Sequence, residues 1–322
     1  MKIEFIKCHG SGNDFILIDE ITNNYTFSEE ERKDLSVLLC NREYGVGSDG
    51  ILFVMKSSTE EAEARMRMFN SDGTEAEMCG NGLRCVARHV IEQAGKQRVN
   101  IETEKAALAV EQVEEIYTGI ETFSVAIEPV SFEVESLPMN FKKSEALDEI
   151  IPELSNTLSF TALSVPNPHI VTLVDEVDQD LLKEVGEKAN KLPAVFPRGV
   201  NVSFVQILEK NKIFVQTYER GVGLTNACGT AMSASTLVST ILGPNDIEVP
   251  IVVINKGGLV NCVVEKADRR YTIQLRGNAT NVYTASIDVD LNANSWKWIN
   301  STVHQNEIDV YESLKDYAAS QV

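Results

Sequence analysis

The chain is short of positive charge: 29 lysines and arginines stand against 48 aspartates and glutamates, a formal net charge of −19 over 322 residues. Such a surface repels polyanions, which excludes nucleic acid and anionic membrane as natural partners. Long apolar runs are missing as well. A stretch such as Pro250–Ile254 falls far below the roughly 20 apolar residues that a membrane span needs. The first ten residues, MKIEFIKCHG, break their apolar positions with Glu4, Lys7 and His9, so no signal peptide is drawn and the expected location is the cytosol. There the six cysteines are expected to remain thiols. The closest pair, Cys79 and Cys85, is spaced wider than the usual zinc pair, and His9, His89, His169 and His304 are scattered, so no metal site is expected. Walker A is absent. Gly45, Gly47 and Gly50 satisfy GxGxxG, but a helix-like segment precedes them and a strand-like one follows, the reverse of a dinucleotide fingerprint. No lysine stands in a context that marks a pyridoxal phosphate site, and no cofactor is expected.

What is present is a globular composition, 43% hydrophobic, at about two domains' length, and an internal repeat. FNSDGTEAEMCGNGLRCVARHV and YERGVGLTNACGTAMSASTLV each place a polar residue, Asn70 or Glu219, nine positions before an apolar-Cys-Gly step that leads into a helix-like stretch; both pairs of landmarks are 149 residues apart. Asn13 and Asn167 each precede a β-branched run ending in Asp-Glu, 154 residues apart. Asp49 and Asn201 each precede a strand, 152 apart. Each copy reads as short strands, among them IEFIKC, FILIDE, ILFVMK, ARMRMF and VNIETE, around one good helix. The first helix opens near Cys79 and stops at Gly95; the second opens near Cys228 and stops at Gly243-Pro244. The expected domains are residues 1–130, completed by a strand at 281–290, then 131–280, with 291–322 as an extension. Ser131 to Leu158 reads as an acidic junction with an insertion. Trp296 and Trp298 are expected to cover an apolar surface.

Two cysteines at two helix starts carry the chemistry. The first-turn N–H groups lack intrahelical partners and favour negative charge, so a thiol there is expected to ionise more easily than its reference of about 8.5. Gly80 and Asn81, and Gly229 and Thr230, leave those N–H groups open to a ligand carboxylate. Either cysteine alone reads as a small residue packed at a helix start; their symmetry decides for function. Facing each other across a domain cleft, one would take a proton from a carbon and the other would return one to the opposite face, inverting a stereocentre. Glu219 and His169 could orient or deprotonate the thiols, Arg220 could fork onto a carboxylate, and Asn13, Asn70, Asn167 and Asn201 could hold ammonium and carboxylate groups.

With KCHGSGNDFILID, NSDGTEAEMCGNGLR, NPHIV, RGVNVSFV, YERGVG and ACGT in order across roughly Met1 to Asp290, the chain resembles the diaminopimelate epimerase family. The resemblance implies an α+β fold of two pseudo-symmetric domains, each a curved mixed β-sheet wrapped around a central helix. It also implies a cofactor-independent isomerase that interconverts LL- and meso-diaminopimelate in lysine and peptidoglycan precursor synthesis. By the same resemblance Cys79 and Cys228 are the acid/base pair, assisted by His169 and Glu219. Asn13, Asn70, Asn167, Asn201, Glu219 and Arg220 hold the substrate, and the amides of Gly80, Asn81, Gly229 and Thr230 take the carboxylate beside the reacting carbon. Leu224, Ala231 and Gly50 depart from the family pattern, which has Glu, Gly and often Gln there, and the tail after Asp290 has no counterpart in it. These departures leave two rivals open: a racemase of another amino acid such as histidine, and an idle duplicate that only binds an amino acid. The expected partner is a small amino-acid substrate; a homodimer is entertained without a sequence signal for it.

Overall fold

The computed structural model describes residues 1–76, 79–104, 106–268 and 270–322. Contacts divide the chain into two units, Met1–Val125 with Gly277–Leu314, and Ala126–Arg276 with Lys315–Val322. Among the described residues no helix is long and apolar enough to cross a membrane.

The first unit runs β1 (Lys2–Gly10), β2 (Asn13–Asp19), α1 (Glu29–Cys40), β3 (Gly50–Met55), β4 (Ala64–Asn70), β5 (Glu75–Ala76), α2 (Gly80–Ala94), β6 (Arg98–Glu102), β7 (Ala107–Val113) and β8 (Thr122–Ile127). The second opens with β9 (Glu149–Ile150) and continues β10 (Ser159–Ser164), β11 (Pro168–Val174), α3 (Gln179–Asn190), β12 (Asn201–Glu209), β13 (Lys212–Glu219), β14 (Gly223–Thr225), α4 (Gly229–Leu242), β15 (Ile251–Asn255), β16 (Gly258–Ala267) and β17 (Arg270–Asn278). The chain closes with β18 (Thr280–Asp290), β19 (Ser295–Val303) and α5 (Gln305–Ala319).

From β1 and from β10 onward the two units share one internal plan. Each begins with an antiparallel pair, β1 with β2 and β10 with β11. A parallel step through a helix follows, β2 to β3 and β11 to β12. Next comes an antiparallel hairpin, β3 with β4 and β12 with β13, and then a second parallel step around the cysteine-led helix, β4 to β6 and β13 to β15. The strands of each unit are therefore mixed, parallel and antiparallel, as expected for this fold. The strand register refines the repeat by one residue. Phe15 lies opposite Gly50 and His169 opposite Asn201, so the counterpart of Asn201 is Gly50 rather than Asp49. A Cβ at Gly50 would sit 2.6 Å from the Phe69 carbonyl oxygen, which is why no side chain stands there.

Each cysteine-led helix is the central element of its own unit. Asn81 through Arg88 are all buried in α2, which packs against β1, β2, β3, β4, β6 and β7. Ala231 through Ser239 are all buried in α4, which packs against β10, β11, β12, β13, β15 and β16. Polar groups on a helix buried all round must find their partners within the protein. In α4 Ser233 donates to the Gly229 carbonyl at 2.9 Å and Thr236 to that of Met232 at 2.8 Å. In α2 the fully buried Arg84 has neutral acceptors among its partners: its Nε donates to Asn278 O at 3.0 Å, and Nη2 to Asn81 Oδ1 at 2.9 Å and Ser11 Oγ at 3.2 Å.

Each unit also has a second helix that sequence reading did not count as a good one. α1 and α3 start 150 residues apart, capped by Ser28 in a capping box and by Asp178. The stretch read as an acidic junction is packed instead of merely connecting. Val134, Leu137, Met139, Ala146, Ile151 and Leu154 join Phe160, Phe204 and Val185 in one core cluster of the second unit. The extension is ordered as well. β19 pairs antiparallel with β18, Arg88 forms a two-pronged pair with Glu307 at the start of α5 (2.6 and 2.9 Å), and Trp298 lies against Phe5 and Tyr283.

Candidate active site

In the first unit Cys79 is the N-cap of α2, extended at φ −146° and ψ 105°, and its sulfur accepts from the Gly82 N–H at 3.4 Å. Its thiol points at Asn13 Oδ1, 3.8 Å away, and the same oxygen accepts from Asn81 Nδ2 at 3.3 Å. β2 delivers Asn13 to this spot because it begins at that residue, directly after the turn that follows β1. The space in front of Gly80 is open: a Cβ there would meet nothing within 4 Å. Asn70, at the end of β4, lies apart from this group in its bonding, with its Nδ2 donating to Thr74 Oγ1 at 3.0 Å.

In the second unit Cys228 is the N-cap of α4, again extended, at φ −131° and ψ 114°. Its sulfur is 3.5 Å from Thr230 Oγ1, and the Glu219 carboxyl at the end of β13 lies beside it. His169, on β11 and fully buried, does not bond Cys228 directly. Its Nε2 is 2.9 Å from Asn167 Oδ1, 3.1 Å from Thr230 Oγ1 and 3.4 Å from Asn201 Nδ2, so Thr230 is the link between imidazole and thiol. Asn201 Oδ1 accepts the Arg220 backbone N–H at 2.8 Å. The Arg220 guanidinium donates to Arg198 O at 3.1 Å and lines an open cavity of about 670 Å³ with Tyr218, Phe196 and Arg198.

The electrostatics correct one expectation. Neither thiol ionises easily: burial pushes Cys79 up to about 11 and Cys228 up to about 12. Desolvation of the charged form outweighs the helix-terminal N–H groups, and at Cys228 the Glu219 charge adds to it. Burial also raises Glu219 from its ordinary value, against the opposing hydrogen bonds of Thr225 and Cys228. Burial lowers His169 to about 3, with a smaller push from Arg220, so it is a neutral imidazole at physiological pH. Between roughly pH 6.5 and pH 3 the unfolded chain would bind a proton at this position that the native chain refuses. Stability therefore falls as pH falls through that window. A His169→Gln variant is expected to show a shallower acid-side decline of the urea midpoint, measured between pH 7 and pH 4.

Among the described residues no group of three or more His, Cys, Asp and Glu is placed to hold a metal ion. Sequence reading missed Asp49, whose Oδ2 accepts from Asn13 Nδ2 at 2.6 Å, and the bridging position of the Thr230 hydroxyl. The Asp ahead of β3 was visible as a landmark; its contact was not.

The family profile described as Diaminopimelate epimerase matches residues 5–122 and 161–282. A diaminopimelate epimerase of Clostridium acetobutylicum is 45% identical over 318 residues, 98% of this chain and 95% of that protein; the similarity therefore runs through the extension. One of Enterococcus faecalis is 46% identical over 285 residues, 87% of each. Among solved structures, a Bacillus anthracis phenazine biosynthesis protein of the PhzF family superposes with a TM-score of 0.64 at 17% identity, covering 90% of this chain and all of that one, which supports the fold.

Proposed function

The chain belongs to the diaminopimelate epimerase family and is an isomerase, and from that premise we propose that it interconverts LL- and meso-diaminopimelate without a cofactor, with Cys79 and Cys228 as its two acid/base groups. The observation that carries this reading is the repeated placement of a half-buried cysteine as the N-cap of the central helix in each unit. In the proposed step the α-carbon's C–H bond breaks as one sulfur, as thiolate, takes the proton. The second sulfur, as thiol, then gives its proton to the opposite face, and the configuration inverts. The substrate carboxylate would rest on the amides of Gly80, Asn81, Gly229 and Thr230, where first-turn N–H groups and the helix dipoles stabilise the charge that builds up on deprotonation.

The raised thiols suit the acid half of this exchange and make formation of the thiolate the demanding part. Glu219 beside Cys228 is the group available to accept that proton, and a carboxylate shifted upward by burial is a better acceptor than an ordinary one. His169, neutral and bonded to Thr230, would hold the hydroxyl that contacts Cys228. Asn13, Asn70, Asn167, Asn201 and Arg220 would hold the remaining ammonium and carboxylate groups. The proposed setting is lysine and peptidoglycan precursor synthesis.

Incubation with LL-diaminopimelate in deuterium oxide tests the reading. We expect deuterium at the α-carbon and appearance of the meso form without added pyridoxal phosphate. No exchange with this substrate, but exchange with histidine or another free amino acid, would move the assignment to a different racemase; no exchange with any would leave an amino-acid binder.

A further inference from the structure

Asn13 has two ends and only one of them is useful to a thiol. Its carboxamide could face Cys79 with either the oxygen, which accepts from S–H, or the NH2 group, which stabilises a thiolate. The structure shows what selects between them. Asp49 Oδ2 accepts from Asn13 Nδ2 at 2.6 Å and from the Asp14 backbone N–H at 3.0 Å. A carboxylate can only accept, so the NH2 end must point to it and the oxygen must point away, toward Cys79 and Asn81. Asp49 is itself clamped: Arg42 Nη2 donates to its Oδ1 at 2.8 Å and to Asp14 Oδ1 at 2.7 Å. Asp14 is paired in turn with Lys7, which also donates to Gly47 O.

We propose that Asp49 is a positioning residue for Cys79: it fixes the flip state of the Asn13 carboxamide and thereby presents the sulfur as a proton donor. The inference rests on the reading of Cys79 as an acid/base group, although the orientation can be measured without it. The charged and titratable groups around the sulfur are Arg84 and Cys85 on its own helix and, beyond Asn13, Asp49, Asp14, Lys7 and Arg42.

Asp49→Ala removes the acceptor and frees Asn13 to turn. Asp49→Asn keeps an acceptor, because the two donors from Asn13 and Asp14 outnumber the one from Arg42 and hold the new carboxamide oxygen on their side. We expect Asp49→Ala to lose roughly tenfold or more in kcat, with KM rising as well because the freed Asn13 is also a proposed substrate contact, and Asp49→Asn to recover most of both. Peptide-resolved iodoacetamide labelling of Cys79 against pH supplies the readout that a merely structural role would not move. Its midpoint should fall by roughly one pH unit in Asp49→Ala, since the NH2 end can now face the thiolate, and should stay near wild type in Asp49→Asn. An unchanged labelling profile in Asp49→Ala, or equal losses of kcat in the two variants, overturns the proposal. Asp49→Ser takes the place of Asp49→Ala if that variant does not fold. A Cys79→Ser control separates the two levels: if it retains turnover, the role of Cys79 fails, while the labelling profile still decides the orientation.

Discussion

Replacing Cys79 or Cys228 by serine is expected to lower turnover roughly 10³-fold while leaving substrate affinity within a few-fold of wild type. The substitution keeps the shape of the N-cap, and a serine oxygen can still cap a helix. What it removes, in the proposed mechanism, is a proton carrier: a hydroxyl ionises far less readily than even these raised thiols, and general acid–base groups of this kind contribute about 10²–10⁴-fold. Loss confined to kcat marks an interaction made in the transition state. The comparison is kcat against Kd from equilibrium binding of the same amino acid. The two variants should also differ in one respect. Each leaves one sulfur functional, so α-deuterium exchange from one configuration should suffer more than from the other, in opposite senses for the two variants. Equal weakening of binding and turnover would make the cysteines structural.

The second large effect concerns the fold. Arg84→Ala should destabilise the first unit by about 3–5 kcal/mol, because it leaves the Asn278 carbonyl, Ser11 and Asn81 without their donor and opens a cavity in a packed interior. The backbone is built around this guanidinium: a Cβ at Gly10 or at Gly277 would come within 2.9 Å of it. Through Asn81, Arg84 also braces the start of α2, so the loss should appear in Cys79 labelling before global unfolding. Urea unfolding followed by circular dichroism measures the first effect. A midpoint unchanged from wild type would contradict the accounting.

Much of this was legible in the residues. The duplicated spacing exposed the two-unit plan because turn chemistry and helix starts recur with it, and both cysteine-led helices begin and end within a residue or so of where their caps and glycines placed them. The second helix of each unit was harder to see. α3 carries Gly186 in its middle, a poor helix residue, and the structure gives the reason: a Cβ there would meet the Tyr218 ring at 2.2 Å. The segment from Ser131 to Leu158 hid its core residues because they follow no regular period. Thiol acidity was misjudged for a physical reason: helix-terminal N–H groups are local and readable, whereas desolvation depends on which strands close around the sulfur. Asp49 was visible as a landmark, but its contact was not, because the hydrogen bond is to a residue 36 positions away.

In the proposed reaction the two sulfurs address the same carbon from opposite sides. Mild oxidation of the substrate-free protein with diamide, followed by peptide mapping, tests it most directly. If the claim holds, the sulfurs can come within bonding reach when the space between them is empty. The predicted result is a Cys79–Cys228 disulfide, its two protons and two electrons passing to diamide, with activity lost in step and restored by dithiothreitol. Oxidised, inactive protein in which both Cys79 and Cys228 map as free thiols would contradict it.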